Sequence, residues 1–324
     1  MPRHDEPVQL GRSGLQVTRL GLGTAPLGGM YTSVADQDAT EVVAAAYESG
    51  IRYFDSAPFY GHGVAERRLG RGLRAAGATS VAVSTKVGRL LIHGADVVPG
   101  IYVDSAAEQP VFDYSADGVR ASLESSLERL GLEHVDALLI HDPDDHENEA
   151  LRNTYPALEQ MRSEGVIKAI GVGMNQTRIP TRFVRETDID FVLIAGRFTL
   201  LDQQAQNDLL PAALERGVSI IAAGVFNSGI LADPRPGAMY NYEPAPAEMI
   251  RRAIAIRSIL KEFDVPMTAA ALQFPLRHPA VRVVLTGARH RDELRANIAD
   301  FNREVPEDCW TALEESGLVA AVRH

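Results

Sequence analysis

Cysteine is nearly absent: Cys309 is the single one in 324 residues. An internal disulfide is therefore excluded, and a reducing, cytoplasmic setting is the natural expectation. Long apolar runs are missing too. No stretch reaches the roughly 18 residues needed to cross a bilayer, and the opening Met1-Pro-Arg-His-Asp-Glu6 has no apolar segment behind it, so neither a membrane span nor a signal peptide is expected. Positive charge is the minority sign, with 32 Lys and Arg against 43 Asp and Glu and a net charge of -11. That balance argues against nucleic acid and anionic membrane as partners and says little about a small-molecule substrate. No linker or break in composition divides the chain, so one domain over residues 1–324 is expected.

What is present is a large core and a regular alternation. Hydrophobic residues make up 45% of the chain. Strand patterns fit 17–23, 51–54, 81–85, 135–140, 167–172, 190–195, 218–223 and 282–286. Helical patterns fit 37–49, 64–75, 117–130, 149–163, 177–186, 203–216, 247–263, 291–301 and 306–316, the first stopping at Gly50. Residues 8–10 and 15–18 flank Arg12-Ser-Gly14 as a short N-terminal hairpin. Strand and helix alternating in this way imply a parallel sheet, and so many units in one domain imply an α/β fold of the closed (β/α)8 TIM-barrel type. Two connections are long, 88–116 and 224–246, and on the active face of a barrel they read as lids.

Four polar residues fall at the ends of three successive strands: Asp55 and Tyr60, Lys86, and His141. The carboxyl ends of parallel barrel strands open on one rim, so these groups are expected to meet. A cation beside a phenol favours the phenolate, so Lys86 is expected to lower the pKa of Tyr60 and make it a general acid or base. Each residue alone has an ordinary structural reading, as a cap, a loop aromatic, a solvated strand end or a packed imidazole. Their joint placement favours chemistry. The run His141-Asp-Pro-Asp-Asp-His146-Glu has the look of a metal site, but it is contiguous loop with no second ligand set, so no metal is expected. Gly21-Leu-Gly-Thr-Ala-Pro26 lacks the third glycine and the following helix of a dinucleotide fingerprint and reads as the end of the first barrel strand.

Three segments carry a family likeness: Gly50-Ile-Arg-Tyr-Phe-Asp55-Ser-Ala-Pro-Phe-Tyr60-Gly61 with Glu66 and Leu69-Gly-Arg71 following, Ser84-Thr-Lys86-Val87, and Asp136-Ala-Leu-Leu-Ile-His141-Asp-Pro143. With them the chain resembles the aldo-keto reductases from Gly11 to about Asn302. The segments 169–176, 195–203 and 222–229 are similar to the aldose 1-dehydrogenase branch of that family, which oxidises L-fucose or D-threo-aldoses, and to pyridoxal dehydrogenase. The resemblance implies an NAD(P)-dependent oxidoreductase. Tyr60 would exchange the proton of the substrate oxygen, Lys86 would tune Tyr60, Asp55 would hold Lys86, and His141 would orient the substrate. An aldose would be oxidised at C1 to its lactone. The alternatives are an NADPH-dependent reductase of small aldehydes or ketones, a pyridoxal 4-dehydrogenase, and a non-catalytic subunit that binds cofactor for regulation.

The resemblance also implies a cofactor site. Thr24 and Asp55 would line the nicotinamide pocket, and Asn175 would bind the carboxamide. Gly224, Val225, Phe226 and Ser228 would flank the cofactor, with Phe226 or Phe198 covering the ring. Gly287, Arg289, Glu293 and Asn297, at the last strand and the helix after it, would take the adenosine half, where a helix N-terminus suits phosphate. Glu293 stands where relatives that prefer NADP carry a cation, and Gly287 where they carry a Lys, so NAD is favoured over NADP. Met30, Tyr31, Phe59, His62 and the 88–116 loop would surround the substrate, with Asp96, Asp104 and Glu108 suited to a polyol.

Overall fold

The computed structural model describes residues 2–93 and 100–323. Among them, eight strands pair in parallel and close into a barrel: β1 (Leu20–Gly23), β2 (Tyr53–Asp55), β3 (Ala82–Val87), β4 (Ala137–His141), β5 (Ala169–Met174), β6 (Phe191–Ala195), β7 (Ser219–Ala223) and β8 (Val281–Thr286). Closure runs through β8 against β1, with Val284 opposite Leu20 and Thr286 opposite Leu22. The helices α1 (Asp36–Glu48), α2 (Val64–Ala75), α3 (Ala116–Leu130), α4 (Tyr155–Ser163), α5 (Arg178–Glu186), α6 (Leu209–Arg216), α7 (Ala247–Glu262) and α8 (Arg291–Phe301) follow their strands in turn, and α9 (Glu307–Glu315) comes last. The expected (β/α)8 barrel is what forms.

Side chains alternate across each strand, and the alternation splits the core in two. Tyr53, Ala82, Ala137, Leu139, Ala169, Phe191, Leu193, Ile221, Val283 and Leu285 fill the barrel. Their neighbours Phe54, Val83, Leu138, Ile140, Ile170, Val192, Ile194, Ile220 and Val284 pack outward against the helices. The hairpin Pro7–Gln9 with Gln16–Thr18 plugs the amino-terminal end, and Val8, Leu10, Leu15 and Val17 join the inner cluster. Parity then decides the other end. Asp55 follows Tyr53 by two, Lys86 follows Ala82 by four, and His141 follows Leu139 by two, so all three continue inward-facing rows.

Several elements differ from the sequence reading. The first barrel strand begins at Leu20, because Val17 and Thr18 pair in the hairpin and the Thr18 hydroxyl donates to the Leu20 carbonyl. The 88–116 connection contains an antiparallel ribbon, Arg89–His93 with Glu108–Phe112. The helical pattern at 203–216 is broken at Asp208, whose carboxylate accepts from the Leu209 N–H and starts α6 afresh. A short helix, Met267–Gln273, was not anticipated.

A buried carboxylate ties the helices to the site. Glu66 on α2 is fully buried. It accepts from the Thr85 hydroxyl at 2.6 Å and from Arg129 Nε of α3 at 2.6 Å. Thr85 is the outward neighbour of Lys86, so this cluster pins β3 from behind. Removing one partner of a buried ion pair leaves an uncompensated charge. Glu66→Ala is therefore expected to destabilise the fold by about 3–5 kcal/mol, and Glu66→Gln by clearly less, as measured by denaturant titration. Equal losses would show that the pair does not anchor β3.

Candidate active site

The four polar residues do converge, and each side chain is held in place. Lys86 and Asp55 are each 1% exposed. Lys86 Nζ donates to Asp55 Oδ2 at 2.5 Å and to the Ser56 carbonyl at 2.7 Å. The other carboxylate oxygen, Oδ1, accepts from Ser84 Oγ at 2.8 Å, and Ser84 Oγ lies 3.0 Å from Tyr53 Oη. Lys86 Nζ stands 4.8 Å from the centre of the Tyr60 ring. The Tyr60 and His141 rings are 5.8 Å apart and nearly perpendicular. All four residues line one cavity of about 370 Å³ at the carboxyl ends of the strands, a size suited to a small ligand.

The electrostatics correct one expectation. Lys86 was expected to lower the Tyr60 pKa. In this pocket enclosure drives the Tyr60 phenol well above its ordinary value, and the Asp55 charge pushes the same way. The reason is that Asp55 answers the Lys86 charge, so little net positive field reaches the phenol. His141 moves in the opposite direction. Burial, helped by the Arg89 and Lys86 charges, holds its imidazole well below the usual range. The resting site therefore presents a neutral phenol and a neutral imidazole.

The far wall is built from absences. Gly173, Ala195 and Ala223, at the inward ends of β5 to β7, line the cavity together with Gly224. These small residues leave room on this side of the cavity, beside Leu193 and Leu285. Asn175 lines its edge, and its carbonyl accepts from Arg197 Nε at 2.6 Å. Gly287 also lines the cavity, and Asn297 Nδ2 sits 3.4 Å from its carbonyl. Glu293 reaches back over the first turn of α8, accepting from the Arg289 N–H at 2.8 Å and from its guanidinium at 3.1 Å. The open side, the amide at its edge and the helix start beyond Gly287 fit a nicotinamide dinucleotide.

A model of the aldo/keto reductase family matches residues 19–317. The chain belongs to the aldo/keto reductase family. It is 44% identical to a pyridoxal 4-dehydrogenase of Microbacterium luteolum, covering 96% of this chain and 97% of that one. It is 41% identical to a D-threo-aldose 1-dehydrogenase of a Pseudomonas species, over 95% and 96%. An L-galactose dehydrogenase of Arabidopsis thaliana is 31% identical over 90% and 86%. Among solved structures, an aldo-keto reductase from Bacillus halodurans in its holo form has the same fold, with a TM-score of 0.77 at 24% identity over 98% of each chain. Membership makes this chain an NAD(P)-dependent oxidoreductase. None of the described helices is long and apolar enough to cross a membrane.

Within this aldo/keto reductase the other anticipated site residues divide. Met30 and Phe59 line the cavity, and Tyr31 is half-exposed with φ 63°. His62 is buried and does not line it; its ring centre lies 6.3 Å from that of Phe59, and its Nδ1 has no hydrogen-bond partner. Thr24 is fully buried with its hydroxyl donating to Ser56 Oγ at 2.8 Å. Of the 224–228 segment only Gly224 reaches the cavity. Val225 is buried, Phe226 packs on the outer core, and Ser228 Oγ accepts from the Tyr242 N–H at 3.2 Å. Phe198 covers no ring in the cavity, because it is buried against Phe274 and His278. The loop acids are engaged elsewhere. Asp104 pairs with Arg68 and accepts from the Val34 N–H, Glu108 pairs with Arg67 and His93, and Asp96 lies outside the described residues. His146 pairs with Glu149 and packs on Tyr114.

Sequence reasoning missed Pro26, Asp142 and Tyr242, which also line the cavity, while Ile101 and Tyr102 line it from the 88–116 connection expected to surround the substrate. Ile101, Tyr102 and Tyr242 lie in the two long connections, and that placement was their only sequence signal. One consequence of the electrostatics can be measured directly. Nitrogen NMR of the imidazoles is expected to find His141 neutral through the range of about pH 6–7 where ordinary histidines titrate. A normal titration of His141 would contradict its enclosure by Arg89 and Lys86.

Proposed function

We propose that this aldo/keto reductase is an NAD-preferring dehydrogenase that oxidises a cyclic hemiacetal, foremost an aldose at C1, to its lactone. The observation that carries this reading is the convergence of Tyr60 and His141 over the buried Asp55–Lys86 pair, in a cavity also lined by Gly173, Ala195 and Ala223. Relatives named for D-threo-aldose and L-galactose support the sugar. The relative named for pyridoxal fits the same chemistry, because pyridoxal carries a hydroxymethyl group beside its aldehyde and closes to a hemiacetal. The aromatic lining by Phe59, Tyr102 and Tyr242 favours that flat substrate as the second reading.

Bound NAD supplies the hydride acceptor. His141, held neutral, donates an Nε2–H hydrogen bond to the substrate oxygen and orients it. Tyr60, as its phenolate, takes the hydroxyl proton as the C–H electron pair leaves C1, so the carbon becomes the lactone carbonyl. Lys86 and Asp55 keep the floor fixed and the local charge balanced. In the reverse direction Tyr60 returns the proton. Asn175 and Gly224 hold the nicotinamide end, and Gly287, Arg289, Glu293 and Asn297 the adenosine end. Met30 and Phe59 border the substrate.

Two features support NAD. Glu293 answers the Arg289 charge beside it and so weakens that cation as a partner for a 2′-phosphate. A Cβ at Gly287 would stand 2.5 Å from Pro26 Cγ and 3.0 Å from the Gly23 carbonyl, so a Lys does not fit there without moving the first loop.

The first test is absorbance at the reduced-nicotinamide band with L-fucose, D-arabinose, L-galactose and pyridoxal, each with NAD and with NADP. Reduction of NAD by an aldose is expected. Silence with all four, alongside oxidation of NADPH by simple aldehydes, would make the protein a carbonyl reductase. Tyr60→Phe is expected to lower kcat by about 10²–10⁴-fold with cofactor affinity nearly intact; retained turnover would remove Tyr60 from the acid/base role. Because its pKa is raised, Tyr60 stays protonated to high pH. Oxidation, which needs the phenolate, is expected to keep rising with pH through the alkaline range, while reduction, which needs the phenol, is full at neutral pH and falls only above the Tyr60 pKa. Coincident profiles would refute this. Glu293→Arg is expected to move the NADP-to-NAD ratio of kcat/KM upward by at least about tenfold. An unchanged ratio would show no contact with the ribose.

A further inference from the structure

Asp142 lines the cavity beside His141, and nothing in the chemistry above uses it. Its backbone is unusual: φ is 42°, in the left-handed region that a non-glycine residue adopts only when its surroundings impose it. Three bonds impose it here. The Asp142 N–H donates to the Gly173 carbonyl at 3.1 Å, and the Tyr114 hydroxyl donates to the carbonyls of both His141 and Asp142, at 2.6 and 2.9 Å. The side chain is equally constrained. Asp142 Oδ2 accepts from Arg89 Nη2 at 3.1 Å and lies 3.5 Å from His141 Nε2. Arg89 is itself clamped, with its guanidinium carbon 4.3 Å from the Phe59 ring centre and 5.1 Å from that of Phe112. Its Nη1 is buried without a hydrogen-bond partner among the described residues. The other carboxylate oxygen, Oδ1, carries no hydrogen bond to any described residue.

Three backbone bonds and a sandwiched guanidinium thus combine to hold one carboxylate at the cavity wall. Its distance from His141 Nε2 defines what it reads. An oxygen bonded to that nitrogen has its own carbon next to it, and a hydroxyl on the adjoining carbon comes within reach of Asp142. We propose that Asp142 is a specificity-determining residue that accepts a hydrogen bond from a hydroxyl on the carbon next to the reacting carbon, and that Arg89 is its positioning residue. The inference deepens the hemiacetal reading, since an aldose carries such a hydroxyl at C2, whereas the ring hydroxyl of pyridoxal lies one carbon further from its reacting carbon. It also replaces Asp104 and Glu108, whose carboxylates are engaged elsewhere, as the acidic group that meets the substrate.

The test uses a substrate pair that differs by that hydroxyl alone, lactaldehyde and propanal, reduced with NADH or NADPH by the wild-type chain and by Asp142→Asn. Asn tolerates the left-handed backbone, and Asp142→Gly, which suits it better still, serves as a second variant; melting curves confirm that each is folded. The inductive effect of the hydroxyl on the aldehyde is the same for every enzyme and cancels in the comparison. The lactaldehyde-to-propanal ratio of kcat/KM is expected to fall about tenfold or more in both variants, mainly through KM for lactaldehyde. Arg89→Lys, which keeps the charge and loses the planar fork, is expected to give a smaller fall. Equal ratios in wild type and both variants would overturn the inference, whatever happens to absolute rates. Should the wild-type chain reduce lactaldehyde and oxidise no hemiacetal while the ratio still falls, the hemiacetal reading fails and the role of Asp142 stands.

Discussion

The ion pair between Lys86 and Asp55 is the constraint on which the rest of the mouth depends. A buried ammonium is tolerable only when it is paired and its remaining donors are satisfied. Here one donor goes to Asp55 and another to the Ser56 carbonyl, and Asp55 in turn needs Ser84, which sits against Tyr53. That chain of contacts exists only while Asp55 stays opposite Ser84 in the β2–β3 ladder. A slip of one residue would turn all of these groups toward the helices. On the outer face Glu66, Thr85 and Arg129 form a second buried polar set one residue away. β3 is thus pinned from both sides, and the cavity floor is rigid before any ligand arrives.

Around that floor the mouth is divided. β2 to β4 contribute Asp55, Lys86 and His141, whereas β5 to β7 contribute Gly173, opposite His141, and Ala195, opposite Ala223. One half carries charge and proton-exchanging groups, and the other carries small or apolar residues for the most part. The charged half is close to neutral overall, which explains why enclosure, and not the Lys86 charge, sets the state of Tyr60. Backbone strain is concentrated at this end as well. Tyr31, His62, Asp142, Asn227, Ser228, Asn241 and Tyr242 all have positive φ and all lie in loops that follow barrel strands. Such conformations persist where the surroundings over-determine them, as Tyr114 and Gly173 do for Asp142.

Much of this was legible in the sequence, for reasons that differ between parts. Strands and helices were readable because apolar periodicity is local, and the end of a strand is marked by the polar residue that leaves the core. Asp55, Lys86 and His141 share inward parity with Tyr53, Ala82 and Leu139, and parity is a matter of counting. Errors came where local pattern and pairing diverge. Val17 and Thr18 have strand character, but whether they pair in the hairpin or the barrel depends on partners far away. Phe198 and Phe226 are aromatic and near the cofactor wall in sequence, yet the outer core takes both.

Alternation, spacing and the tetrad motif by themselves determined the closed barrel, the rim on which the chemistry sits and three of its inward-facing groups. Only the tertiary structure decided the protonation of Tyr60 and His141, because a pKa depends on summed burial and charge from every neighbour. It alone also decided that Tyr102 and Tyr242 reach the cavity from the two long connections, that Asp104 and Glu108 are engaged by cations elsewhere, and that Asp142 stands at the wall in a strained conformation. A side chain in a long loop meets its partners through contacts made across the whole fold, and no local pattern of residues encodes where such a loop comes to rest.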